Sequence, residues 1–403
     1  MWILNAILNF IGDTALIWVP ILLGVVFFHT YMNYRKHKYI DEKIKYVMLE
    51  INIPKDVFKS PQAMEIVINV LHHLGGGAMD WRQRFWNGAV LHPSSLEIVS
   101  IEGSIYFFIR TTDRLAGLVQ STIYSQYPNA EVNQVDDYTK YVPDYNYHED
   151  SWSLYGADFK LANDDFYPIK TYVDYELDKN VGSLDEEQKI DPITTLIEFL
   201  GTIRAGEQIW IQFIVRADPF SDWKKRGKEK IKEILGTAKV VEDEPYQPVR
   251  LTHGQQEEIK AIERCISNNG FETIIRTIYL AQKDKENPSV KGFFKSIAFA
   301  AFNSWNAIRK NNDTTWDWVW EDITGLREPA LKRRFFNDYV ERAGFDEPAS
   351  KYLNFLWYKR SQPMILNSEE LATLFHIPGR VSETGSLERI DAKKSQAPTN
   401  LPF

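Results

Sequence analysis

The chain has 403 residues, 55 acidic against 47 basic side chains, a formal charge of -8 and 44% hydrophobic residues, enough core-forming material for about two to three domains, which excludes a disordered chain. Its single cysteine, Cys265, excludes an internal disulfide and a multi-cysteine zinc site. The acidic balance argues against nucleic-acid binding over the whole surface.

Residues 15–31 read ALIWVPILLGVVFFHTY, without a formal charge. A helix needs about 20 mainly apolar residues to cross a bilayer. A transmembrane helix over 14–34 meets that length, with Trp18, Tyr31 and Tyr34 where aromatic rings sit at membrane interfaces. Pro20 is tolerated as a mild kink. Arg35, Lys36 and Lys38 follow at once and no lysine or arginine precedes the span, so the positive-inside rule places the N-terminus outside and the body in the cytoplasm. A secretory signal would carry its basic residues before the apolar run, so the segment reads as an uncleaved anchor. In residues 1–13, Asn5, Asn9 and Asp13 draw a polar stripe along one helical face. That stripe fits either the membrane interface or a contact between neighbouring anchors. Residues 35–52 read as a basic juxtamembrane linker.

The body is expected to be α+β, with a first domain over 53–150, a second over 151–383 and a tail over 384–403. Ser60 and Pro61 open a helix with Met64, Val67, Ile68 and Leu71 on one face, ended by three glycines at 75–77. Two apolar runs around Glu102 and Gly103 predict a hairpin. Asp113 is expected to cap a helix that Pro128 stops before a short strand over 130–135. Strand-then-helix phrases recur at 208–235 and 271–305, and each strand carries an arginine, Arg110, Arg216 or Arg276. This predicts repeated small mixed sheet-plus-helix units, covered by helices on one face. Asp191 and Pro192 are expected to open a further helix, and Thr252 with Gln255 predicts a capping box. From 136 to 191 there are 15 acidic and 5 basic residues, which reads as a solvated loop or as a partner-facing surface.

Motifs for chemistry are scarce. Gly227 and Lys228 lack the upstream glycine and following hydroxyl of a phosphate loop. H-E-x-x-H, G-x-S-x-G and C-x-x-C are absent. His148, Glu149 and Asp150 have ligand-type side chains but no second histidine at ligand spacing. Cys265 sits among isoleucines and reads as a buried small apolar residue. Trp316, Trp318 and Trp320 read as core and rim packing. No catalytic residue, cofactor or metal is assigned.

Five segments carry a resemblance: IPKDVFKSPQAMEIVINVLH at 53–72, the hairpin and helix at 95–132, YPIKTYVDY at 167–175, DPITTLIEFLGTIRAGEQIWIQFIVR at 191–216, and MILNSEELATLFHIPGRVSETGSLERI at 364–390. They resemble the membrane-anchored region in front of the motor in bacterial type IV secretion, conjugative DNA-transfer ATPases of the HerA and FtsK kind. In those relatives the segment resembling 366–378 stands just before the ATPase domain, which is missing here. The resemblance therefore implies a single-pass inner-membrane protein, not an enzyme, whose body docks or positions a separate phosphate-loop translocation ATPase, as one copy in a homo-oligomer. Candidate partner or DNA contacts are Lys224, Lys225, Arg226 and Lys228, with Lys332, Arg333 and Arg334. The alternative for both groups is a solvated helix face. Two other readings are a self-assembling membrane scaffold unrelated to DNA transfer and a membrane-tethered enzyme using the His148 loop.

Overall fold

The computed structural model describes residues 2–52, 59–75, 80–83, 86, 88–142, 152–178, 190–218, 222–237, 251–315, 325–345 and 362–378. The chain divides into two compact units.

The first unit gathers residues 1–45, 78–90 and 343–360. Its main element is helix α1 (Trp2–Lys43), 42 residues without a break at Pro20 and about 63 Å long at 1.5 Å per residue. Within it, 14–40 is long and apolar enough to cross a membrane, and Leu16, Leu22, Val25, Phe27 and Phe28 are exposed. The division at residues 13 and 34 is not a structural one: the helix runs through both. The expected linker over 35–52 is likewise helical to Lys43 and then enters the sheet of the second unit as a strand, because Val47, Leu49 and Ile51 alternate as core-facing residues.

The second unit is built on a nine-stranded antiparallel sheet. Its elements are β1 (Tyr46–Asn52), α2 (Gln62–Gly75), β2 (Ser94–Ile101), β3 (Ser104–Thr112), α3 (Asp113–Gln126), β4 (Glu131–Val135), β5 (Trp152–Leu161), α4 (Thr194–Gly201), β6 (Glu207–Ala217), α5 (Asp222–Thr237), α6 (His253–Ser267), β7 (Gly270–Gln282), α7 (Pro288–Ser296), β8 (Ile308–Asp313), α8 (Arg327–Val340), β9 (Met364–Asn367) and α9 (Ser368–Leu374). Strand order is β4-β1-β3-β2-β6-β7-β5-β8, with β9 paired to β7. The first four strands have the order 4-1-3-2 of a ferredoxin-like βαββαβ unit. The strands β5 to β8 repeat that order in mirror sequence across the β2·β6 pair, with α4 and α7 as the two crossovers. The repeat expected from the strand-then-helix phrases is thus present, but its period is the βαββαβ half. The second half replaces the β2–β3 turn with the insertion α5–α6, and both halves join in one sheet through eight residue pairs from Ser94↔Val215 to Ile101↔Gln208.

Local chemistry explains the connections. The β2–β3 turn has Glu102 at φ 54 and Gly103 at φ 93, the paired positive φ of a two-residue type I′ hairpin. The capping box of α6 forms between Thr252 and Gln255. At α3 the cap is Thr112, without a side-chain hydrogen bond, and Asp113 is the first helical residue, where its charge still favours the helix dipole. Helix α4 starts at Thr194 rather than at Pro192, because Asp191 turns back to accept from Ile193 N at 3.1 Å. The helix expected to run to Trp305 ends at Ser296 and continues in turns.

One face of the sheet, with Leu49, Ile98, Ile211 and Ile275, packs α2, α3, α4, α7 and α9 through Val67, Val119, Leu196, Phe294 and Leu371 into one core. Each such side chain contributes about 1.5–3 kcal/mol of burial. A satellite core of Phe166, Trp223, Ile234, Ile262 and Cys265 joins α5 to α6. The expectation of helices on one face only is corrected: α8 covers the opposite face, with Phe336 and Tyr339 against Trp210. Gly156 of β5 lets α8 approach, since a Cβ there would lie 2.5 Å from the Phe335 ring.

Candidate functional site

Two buried polar clusters stand out against this core. The first lies under α8. Along the sheet, Glu97, Gln212, Arg276 and Asp158 are lateral neighbours on β2, β6, β7 and β5, and all four are buried. Burial alone would raise the Glu97 carboxyl; the charge and hydrogen bonds of Arg342 outweigh it and hold Glu97 below the usual carboxylate range. Arg342 Nε is 3.1 Å from Glu97 Oε1, Nη2 is 3.2 Å from Oε2, and the same guanidinium reaches both oxygens of Asp137. Tyr138 OH donates to Glu97 at 2.7 Å. Arg276 Nη1 donates to Asp338 O at 3.1 Å and Gln212 Nε2 to Tyr339 O at 3.3 Å, so the sheet itself holds the last turn of α8. Arg342 sits at φ 52, a left-handed conformation that costs about 1–3 kcal/mol outside glycine and is held there by its carboxylate partners.

The second cluster is built around residues 364–378. Asn367 and Glu370 form a capping box that starts α9, and residues 366–377 are buried throughout. Glu370 accepts from Asn367 N at 2.8 Å and Ile169 N at 2.9 Å. Burial nevertheless pushes its carboxyl up to about 8. Glu369 binds Thr171, Asn268 and Arg264, and Arg264 also holds Asp174 at 2.6 Å. Ser368 Oγ donates to Glu65 at 2.8 Å, and Tyr172 OH donates to the other Glu65 oxygen at 2.7 Å. His376 Nε2 lies 3.1 and 3.2 Å from the Asp191 oxygens, while Nδ1 faces the carbonyls of Ala372 and Thr373. Four of the five segments quoted for the resemblance therefore meet here, through Glu65, residues 169–174, Asp191 and residues 367–376.

The acidic stretch over 136–191 reads differently in three dimensions. Its described part includes the buried strand β5, so that part is not a solvated loop. Several of its described carboxylates meet partners from the rest of the chain: Asp137 pairs with Arg342, Asp164 and Asp165 with Arg226 and Asp174 with Arg264, while Asp191 faces the His376 ring.

The candidate basic residues fall on three elements. Arg35, Lys36 and Lys38 continue α1, where Lys38 pairs with Glu42. On α5, Lys225 pairs with Asp222, Arg226 with Asp164 and Asp165, and Lys224 lies over the Trp223 ring with its ammonium held below its ordinary value by burial. Lys228 is exposed. On α8, Lys332 pairs with Glu328, Arg333 is exposed and Arg334 is half-buried. A phosphate would have to displace protein carboxylates from Lys225, Arg226 and Lys332. The three strand arginines part company: Arg110 stacks on Tyr46 at 4.0 Å, Arg216 pairs with Glu272 across β6·β7, and Arg276 is buried. Cys265 is buried, with its thiol pushed up by burial. His148, Glu149, Asp150, Trp316, Trp318, Trp320 and the tail over 384–403 lie outside the described residues. Among the described residues no three ligand-type side chains converge on a metal geometry.

Sequence reasoning missed Glu97, Gln212 and Arg276 as a set. Their signal was present: each is a polar residue inside a strand rich in apolar residues, on the face opposite the one that Ile98, Ile211 and Ile275 turn to the main core. Residues 49–389 match the family described as Domain of unknown function (DUF8128), and the chain belongs to that family. No curated protein matches the chain.

Proposed function

We propose that this DUF8128 member is a membrane-anchored, non-catalytic scaffold that docks or positions a separate translocation ATPase, as one copy of a homo-oligomer in a bacterial inner membrane. The carrying observation is the interlock of residues 364–378 with α2, the 169–174 turn, Asp191 and β7. In the conjugative ATPases that the sequence resembles, the corresponding segment leads straight into the motor. A body that fixes this segment by six or so buried polar contacts offers a rigid seat at the place where a motor would begin. The apolar exposure of α1 supports the anchor, with its N-terminus outside and Arg35, Lys36 and Lys38 on the cytoplasmic side. Among the described candidate cations, Lys228 and Arg333 are exposed to a partner, while Lys225, Arg226 and Lys332 are engaged by carboxylates, which favours a protein partner over DNA.

The test is purification of the full chain from membranes in mild detergent, with mass spectrometry of what accompanies it. Recovery of a stoichiometric ATPase that carries its own phosphate loop is expected. Recovery of only further copies of this chain would instead place self-assembly first.

A further inference from the structure

The second membrane-facing feature is a short turn in the same unit as α1. Residues 80–90 contain Trp81, Arg82 and Trp86, and the two indoles are 67% and 75% exposed, unusual for side chains that normally bury 150–250 Å² each. The described residues of this turn are 80–83, 86 and 88–90. Asp80 N donates to Gln83 Oε1 at 3.3 Å and Ala89 N donates to Gln83 O at 2.9 Å, while Ala89 and Val90 are buried. It is fastened to α1 at one level: Arg35 Nη2 donates to Trp86 O, and Gly88, at φ +71, packs so tightly that a Cβ would lie 2.6 Å from the Arg35 carbonyl. Arg35 is the first charged residue after the apolar run. The exposed tryptophans are therefore held at the end of the span, where indoles prefer the boundary between acyl chains and headgroups.

We propose that Trp81, Arg82 and Trp86 form a lipid-contact element lying in the headgroup layer of the membrane that α1 crosses, with the two indoles entering the interface and Arg82 meeting lipid phosphate. This rests on the anchor reading of α1. The occupant is a phospholipid surface and not a protein groove, because the element is continuous with the span and pairs indoles with a guanidinium, 5.7 Å from the Trp81 ring, as interfacial segments do. Two attachment points on one membrane, the span and this turn, would set the azimuth and tilt of the first unit, which a single helix leaves free.

The experiment uses the full chain in phosphatidylcholine vesicles containing a quarter phosphatidylglycerol. A fluorophore is placed by Asp80→Cys beside Trp81, or by Leu22→Cys in the span; Cys265 is 1% exposed and does not compete for the label. Lipids with a nitroxide on the headgroup should quench the position-80 probe more strongly than lipids with a deep acyl-chain nitroxide do, as for an interfacial group, and the deep nitroxide should quench the position-22 probe. Adding Trp81→Ser and Trp86→Ser should abolish the first effect and leave the second. Quenching at position 22 without quenching at position 80 overturns the lipid-contact element and leaves the anchor standing. No quenching at position 22 overturns the anchor and this inference with it.

Discussion

Glu97 and Arg342, 245 residues apart in sequence, form a buried two-point ion pair between β2 and the end of α8. Arg342 is the cation that compensates the buried Glu97 carboxylate, and it also serves Asp137. Replacing Arg342 by methionine strands a carboxylate and should cost about 3–5 kcal/mol of unfolding free energy. The double replacement Glu97→Gln with Arg342→Met should recover much of that loss. Urea unfolding of the full chain in detergent, followed by near-ultraviolet dichroism, distinguishes the two; equal instability of single and double variants would show that the pair is not what matters.

The same carboxylates give this region an acid limit. Glu97 and Asp137 are held below the ordinary carboxylate range by Arg342 against the opposing effect of burial. They bind fewer protons folded than unfolded, so their contribution is present above the unfolded pKa and is lost as pH falls through the folded value. Protection of α8 against hydrogen exchange, relative to the free-amide rate at each pH, should fall on acidification before that of β6 and β7 does.

Glu370 has the opposite sign. Its carboxyl is raised to about 8 by burial, so the folded state holds a proton that the unfolded state releases. The stability it contributes is full below the unfolded pKa and is lost as pH rises through about 8. Protection of residues 364–377 against exchange, relative to the free-amide rate at each pH, should therefore fall as pH rises from the ordinary carboxylate range to about 8, and Glu370→Gln should flatten that fall. An unchanged profile in the variant would assign the effect to another group.

Gly156 is a steric requirement. An alanine there meets the Phe335 ring at 2.5 Å, and overpacking of this kind costs about 1–3 kcal/mol. Combining Gly156→Ala with Phe335→Leu should return part of the loss in the same urea titration.

Changing Lys224, Lys225 and Arg226 together to alanine should leave the unfolding midpoint in place, since their ion pairs lie on the surface. If α5 faces the partner, co-purification of the ATPase should fall. Retention of the partner at the parental level would remove α5 from the docking surface.

Elements set by neighbours in sequence were legible: the Glu102–Gly103 hairpin, the Thr252 capping box, and the faces of α2 and α3 all follow from spacing within one element. What sequence could not show depends on partners far along the chain. The insertion α5–α6 hid the correspondence between β2–β3 and β6–β7, so the two βαββαβ halves read as three shorter phrases. Asp137, Asp174 and Asp191 looked like solvated charge because Arg342, Arg264 and His376 are 90 to 205 residues away. The lone polar residues inside β2, β6 and β7 were visible, but only the strand register reveals that they share a row.

The seat of residues 364–378 also orders events during synthesis. Until this segment leaves the ribosome, Ile169 N–H has no carboxylate to meet and the β7 positions from Gly270 to Thr273 lack their β9 neighbour. A chain terminated earlier keeps the apolar bed that Leu371, Leu374 and Phe375 would fill open to proteases and chaperones.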